Sequence, residues 1–445
     1  MQGSNCTRVR DEIGDRTGLR MSIPSEWIPI EWPAAWRAEQ VPLLRDTPFN
    51  ALVFKDAPPT GVAEAAKAAG IETPALTWKA WKEVDWTKSE GVAAIGDGFW
   101  PAYSYKGLAD GSAGPTGEPW LDANGWLYLY VRARAGNHTV WVRSDPPEDV
   151  RTVRQPHLHL VLAEAFAYGG RRPLWLPPAF ATALAAGNDK ALTDWKNLVD
   201  TARWLMQHDE WRTWPVTAPL LVVSDFSAAN EYVAGETMLL AARKQMSFWP
   251  VCVSQAKPSD LTGRRAVLYL DQTPPTPKLL AMLKAFATQG GLVLTGPGAA
   301  KSFSGLKPVA EHPHPRFDIL ALGKGRVAVA RAAFDDPWTL ADDSHLLMSR
   351  RFDPARLFNG GLLHTHTVAS PDGKRSLVHL VNYGTEPFHH VVVLQVTRPV
   401  RSAKIHTPGT AEAKSVELSG DPARPEIVIP HFSVYLAVEL EHAHA

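Results

Sequence analysis

Cysteine is nearly absent: Cys6 and Cys252 are the only two in 445 residues. They lie far apart, Cys252 sits in an apolar strand-like run, and no paired or zinc-type spacing exists. A disulfide framework and a structural zinc site are therefore excluded, and both residues read as free thiols. Long apolar runs are also missing. None reaches the ~18 residues that a membrane-spanning helix needs, and residues 1–20 lack the apolar middle of a signal peptide. That stretch reads as a disordered leader ahead of a second Met at position 21. As it stands the sequence is that of a cytoplasmic protein, or of a secreted one whose signal has been removed. Charge of one sign is lacking too: 46 Lys and Arg offset 46 Asp and Glu. No basic footprint marks a nucleic-acid partner, and no membrane partner is implied. Gly296-Pro297-Gly298 is not a dinucleotide fingerprint, and no cofactor is implied.

What is present is tryptophan, unevenly placed: 15 of the 17 fall before residue 215, so the N-terminal half has a different task from the rest. A chain this long, 45% apolar and 21% charged, divides into two to four globular domains. Over 21–215, short apolar runs (Ile28–Trp32, Ala51–Phe54, Ile71–Thr77, Val92–Ile95, Val140–Arg143, Leu174–Leu176) alternate with helical patterns. That alternation predicts a parallel (β/α) TIM-like barrel with six or seven strands. Over 216–320, compact β-α repetition predicts a small Rossmann-like α/β domain, with Gly290-Gly291 ending the helix Pro277–Thr288. Over 321–445 the helical period is lost. Strands at Arg326–Ala330, Gly361–Val368, Ser376–Val381, His390–Val396, Ala403–His406, Glu426–Ile429 and Ser433–Leu440 predict an antiparallel β-sandwich, with a turn at Pro371-Asp372-Gly373.

Three stretches carry a resemblance: Asp260-Leu261 with Ala266–Leu270, the run Thr288-Gln289-Gly290-Gly291-Leu292-Val293-Leu294, and His379-Leu380-Val381-Asn382-Tyr383. In this order of units the chain resembles the family-42-type β-galactosidases. There a catalytic barrel is followed by a glutamine-amidotransferase-like domain, often used in trimerisation, and a small β domain. The resemblance implies a glycoside hydrolase with a carbohydrate substrate, and a homo-oligomer. The family's acid/base Glu follows an Asn after the fourth barrel strand. The only Asn-Glu here, Asn230-Glu231, lies in the second unit, so no family catalytic residue carries over. Cys252 has no flanking Gly, which argues against a working glutaminase.

In a β/α barrel the functional groups sit at the C-terminal ends of the strands. Those ends offer the carboxylates Glu31, Asp56, Asp97 and Asp145 as catalytic candidates, since glycoside hydrolysis uses one carboxyl as acid and a second as nucleophile or base. Trp32, Trp78, Trp100, Tyr103, Trp120 and Asp122 are the candidates for substrate binding, because sugar rings stack on aromatic faces. At least two of Trp32, Trp78, Trp100 and Trp120 are expected to line one open cleft. Each carboxylate also has an ordinary reading. Asp122 caps a helix starting near Asn124, and Asp56, Asp97 and Asp145 are turn residues. Asp97, between Gly96 and Gly98 and before Phe99-Trp100, is the favoured candidate, working with Asp145, Glu31 or Asp56. His364 and His366 share one face of a strand but have no third ligand, so they predict an exposed sheet face and no metal. The different-class alternative is a catalytically inactive saccharide-binding or structural protein.

Overall fold

The computed structural model describes residues 27–83, 91–104, 120–136, 138–227, 229–310 and 313–443. The leader and Cys6 lie outside them. The protein is a mixed α/β chain. In its first part β1 (Pro29–Glu31) pairs in parallel with β2 (Ala51–Val53), and β3 (Val92–Ile95) with β6 (Thr139–Val142); β4 (Ala102–Ser104) and β5 (Trp120–Asp122) form an antiparallel pair. Single parallel bridges link these strands through two further segments: Ala51 to Glu72 and Lys79 to Ile95, then Trp141 to Arg171 and Ile30 to Leu174.

Strand side chains alternate between faces, and burial follows that alternation. Ile30, Trp32, Leu52, Ala93, Ile95, Val140 and Val142 join the large core under the helices. Ala51, Val53, Val92, Ala94 and Trp141 form a separate small cluster on the other face. On that face the indole of Trp141 packs among smaller side chains. Among the described residues, the helices of this part are Val62–Ala68, Gly125–Ala135, Gln155–Ala167, Pro178–Ala185 and Asp189–Gln207. Trp32 lies edge-on to Trp36 at 5.3 Å, and the Trp36 indole donates to Ala181 O at 2.9 Å.

The middle unit is a six-stranded sheet of β7 (Leu220–Ser224), β8 (Phe248–Cys252), β9 (Ala266–Tyr269), β10 (Leu292–Thr295), β11 (Phe317–Leu322) and β12 (Gly325–Ala330), in the order β11-β12-β10-β9-β7-β8. All strands are parallel except β11. Leu220 to Ser224 is buried throughout, as a strand covered on both faces must be. Gly290 stands at φ +117°, which L side chains rarely adopt, and turns the chain from the Pro277–Thr288 helix into β10. Arg326–Ala330, expected among the C-terminal strands, instead pairs with β10 here. The tight reversal at Gly323, φ +60°, folds β11 back along β12 and makes the segment look antiparallel from sequence.

Beyond the Pro337–Met348 helix come two antiparallel sheets. One is ordered β13-β16-β20-β19, from Ala355–Phe358, Val392–Val396, Arg424–Ile429 and Ser419–Asp421. The other is ordered β14-β15-β21-β17-β18, from Leu363–Ala369, Arg375–Asn382, Tyr435–His442, Val400–His406 and Lys414–Val416. They share a core that includes Leu394, Ile427, Val378, Leu380 and Leu436. The turn at Pro371-Asp372-Gly373 forms as expected: Asp372 accepts from Ser370 Oγ at 2.6 Å and Lys374 N at 3.1 Å.

Much of the second face of the larger sheet is covered, though Lys404 and Glu441 at its β17–β21 end are exposed. It packs on the Gln155–Ala167 helix, with Phe166 6.0 Å from both His379 and Tyr435. The exposed face expected around His364 and His366 is therefore corrected: both are buried, and His379 lies opposite His366 in the register. Burial pushes His364 and His379 down to about 3, and His366 well below its usual value. Arg243 faces His364, Arg132 faces His366 and His379, and His379 also faces His366, each adding repulsion in the same direction. A depressed folded-state pKa means that the unfolded chain binds more protons. The stability these histidines contribute is complete above their unfolded value of 6.5 and is lost as the pH falls toward 3. The melting temperature should fall from pH 7 to pH 4. Neither ring nitrogen of His364 has a hydrogen-bond partner. His364→Leu should therefore flatten that slope and gain on the order of 1 kcal/mol at neutral pH, read from thermal melts across pH.

Candidate functional site

Parallel pairing sends the ends of β1, β2, β3 and β6 to one rim, and side-chain parity decides what that rim displays. Glu31 pairs with Val53 of the inner cluster. Lys55 lies two residues beyond Val53, and Arg143 two beyond Trp141, so all three share the face of that cluster. Arg143 Nε meets Glu31 Oε2 at 3.2 Å, and its guanidinium lies 5.9 Å over the Trp78 ring. Glu31 is only 9% exposed. Burial raises its carboxyl pKa; Arg143 and Lys55 oppose that shift and the Asp145 charge adds to it. Glu31, Lys55, Arg143 and Asp145 thus share one electrostatic neighbourhood, with Trp78 beside it.

A second group adjoins the first. Arg172 is 3% exposed and donates to Ser144 Oγ and, at 3.0 Å, to Phe99 O. Its guanidinium lies 5.8 Å over Trp100, which meets Trp175 edge-on at 5.7 Å. The 99–100 loop is held from behind by Asn124, whose side chain accepts from Phe99 N at 2.7 Å and donates to Phe99 O at 3.0 Å. Asn124 itself rests on Glu164, a fully buried carboxylate. Its backbone N–H donates to Glu164 Oε1 at 2.6 Å and its amide to Oε2 at 2.8 Å. Tyr383, just past β15, donates to Oε1 at 2.7 Å. Burial raises the Glu164 pKa, against the pull of Arg172 and these donors.

The other sequence candidates are dispersed. Asp97 is exposed, and its carboxylate accepts from Trp81 N at 3.0 Å. Its pKa is raised foremost by partial burial, and its charged neighbours are Lys82 and Glu231, themselves an ion pair at 3.4 Å. None of these belongs to the Glu31 group. Asp97 shares the parity of Ile95, which faces the helices, so it turns away from the inner rim. Asp56 and Asp145 are both exposed. Trp32 is corrected outright: at 6% exposure it is core and lines no cleft. Trp78 and Trp100 are half-buried, and Tyr103 packs half-buried against the main core. The side chain of Trp120 lies outside the described residues. Asp122 is half-buried beside Glu236 of the middle unit, whose pKa it helps raise, and the helix N-cap is Asn124 instead.

Sequence reasoning missed Arg143, Arg172, Asn124 and Glu164. Only Glu164 left a local signal, a lone carboxylate within the apolar run Leu158–Phe166. Among the described residues, no group of three or more His, Cys, Asp or Glu is arranged to hold a metal, and no helix is long and apolar enough to cross a membrane.

No protein-family profile and no curated protein sequence matches this chain. Solved structures of glycoside hydrolases resemble its fold. An α-L-fucosidase isoenzyme from Paenibacillus thiaminolyticus matches 71% of the chain at 12% identity and TM-score 0.48. A β-galactosidase from Bacillus circulans sp. alkalophilus matches 70% at 10% identity and TM-score 0.48. A rhamnosidase from Novosphingobium sp. PP1Y matches 75% at 12% identity and TM-score 0.47. The matched region spans 62%, 61% and 34% of those proteins, so each is substantially longer than what this chain reproduces.

The Glu164 contacts join the N-terminal unit to the C-terminal sheets. Removing a partner from a buried charge strands the rest, so Glu164→Ala should cost about 3 kcal/mol and Tyr383→Phe about 1–2 kcal/mol. Denaturant midpoints measure both, and Glu164→Ala should be the larger loss.

Proposed function

We propose that the chain is a glycoside-hydrolase-like protein that engages a saccharide at the rim of a small closed β/α barrel. In this reading Glu31 is the central carboxylate and Asp145 the second. The observation that carries it is the Glu31 carboxyl, mostly withdrawn from water at a strand end. The Arg143 guanidinium, the Asp145 charge and the half-buried Trp78 surround it. A desolvated carboxyl with a raised pKa suits proton donation to a departing glycosidic oxygen, and a solvated carboxylate suits the nucleophile or base role. Trp78 and Trp100 offer faces for the sugar ring. The middle unit would be the glutamine-amidotransferase-like domain and the paired antiparallel sheets a β-sandwich.

The test is turnover of a panel of aryl glycosides. Glu31→Gln should lower kcat on the order of 10²–10⁴-fold with the melting temperature nearly unchanged. Because the acid form is the working form, kcat should fall as the pH rises through a Glu31 pKa above 4.5. Loss of stability with activity intact would count against the assignment. The inactive, saccharide-binding reading has its own support: the Glu31–Arg143 ion pair and the hydrogen bond that commits Asp97 to Trp81. Saturable binding of an oligosaccharide with no hydrolysis of any glycoside would favour it.

We also propose a homo-oligomer assembled through the middle unit. Light scattering at micromolar concentration should give a multiple of 48.8 kDa, and a clean monomer would exclude it.

A further inference from the structure

At the edge of the middle sheet remote from the strand C-termini, a cleft of about 460 Å³ opens between that sheet and the C-terminal sheets. Four arginines line it: Arg264 and Arg265 just before β9, Arg351 beyond the Pro337–Met348 helix, and Arg398 between β16 and β17. No Asp or Glu lines it, and among the described residues none of the four forms an ion pair. Elsewhere in the chain, arginines such as Arg316, Arg331 and Arg375 meet carboxylates, those of Asp343, Asp318 and Glu439.

The arrangement is held in place. Half-buried Arg264 donates to Ala218 O and Asp260 O, which fixes its guanidinium; burial lowers its pKa, and the nearby Asp260 charge opposes that shift without forming an ion pair. The guanidinium carbons of Arg265 and Arg351 lie 4.9 and 4.7 Å from the centroid of one ring, Phe352. A shared aromatic face orients both groups while leaving their N–H forks free to bind. Arginine stays protonated at any physiological pH, so four such groups around one cleft repel each other until an anion enters.

We infer that this cleft is a binding site for a small molecule bearing phosphate or sulfate groups. Guanidinium forks match tetrahedral oxyanions bidentately. The volume falls in the ~300–1,000 Å³ range of small-ligand pockets, so the occupant is a compact molecule and not a polymer strand. Since its walls come from two units of the chain, a bound anion would tie them together and stabilise the folded state.

The test is isothermal titration of the full chain at low salt with inorganic pyrophosphate, a sugar phosphate and a sulfated disaccharide. Pyrophosphate should bind saturably, raise the melting temperature, and weaken as salt is added. The two sugar esters then show whether the natural ligand is phosphorylated or sulfated. Arg351→Gln and Arg398→Gln are both exposed positions, and each should weaken binding about ten-fold. In ligand-free buffer each should melt no lower than the parent chain, because repulsion is relieved. No saturable heat with pyrophosphate up to about millimolar concentration, unchanged affinity in both variants, or binding of long polyanions alone would overturn the inference.

Discussion

A carboxyl group as deeply buried as that of Glu164 is tolerable only while its donors stay in place. Those donors belong to distant parts of the chain. Asn124 brings the start of the Gly125–Ala135 helix, and Tyr383 brings the end of β15. Through Asn124 the constraint reaches the 99–100 loop, then Arg172, and so the indole of Trp100. One buried carboxyl therefore ties the Gly125–Ala135 helix start to the end of β15 and supports the back wall of the proposed saccharide rim. The ordering of that rim is a by-product of the way the units are joined.

The inner cluster sets a second limit. Trp141 packs with Ala51, Val53, Val92 and Ala94 in one apolar layer beside the Glu31 group. Whatever the rim engages must rest on top of this layer, against Glu31, Arg143 and Trp78. The buried arginine contact then has two faces. It opposes the rise of the Glu31 pKa that burial causes, and it occupies part of the surface that a substrate would use.

Strands of the middle unit were legible in the sequence because they are covered on both faces and read as unbroken apolar runs between tight turns. The first unit was harder. β1 and β2 have only three residues each, and the 72–79 and 171–174 segments pair through single bridges, too short for any periodicity. Position alone put Glu31 and Asp97 on an equal footing. Parity separates them, since Ile30 and Ile95 face the helices while Val53 and Trp141 face inward, but that needs the register, which the sequence does not display. Trp32 was misjudged for the same reason: as the neighbour of Glu31 it points the opposite way. Arg143 meets Glu31 across 112 residues and Arg172 meets Phe99 across 73, distances over which no local pattern exists. The histidines of β14 were read as surface because alternation says which residues share a face, not what covers it.

That covered face bears on how such a chain can be inherited. The larger C-terminal sheet spends one side on its own partner sheet and packs the other, through His379, on the Gln155–Ala167 helix, with the buried His364 and His366 on the same face. A module cut at residue 350 would carry away a wet wall of imidazoles and apolar side chains with nothing to lie against. A fusion that moved these sheets to another protein would have to carry that helix or supply another cover for the same face.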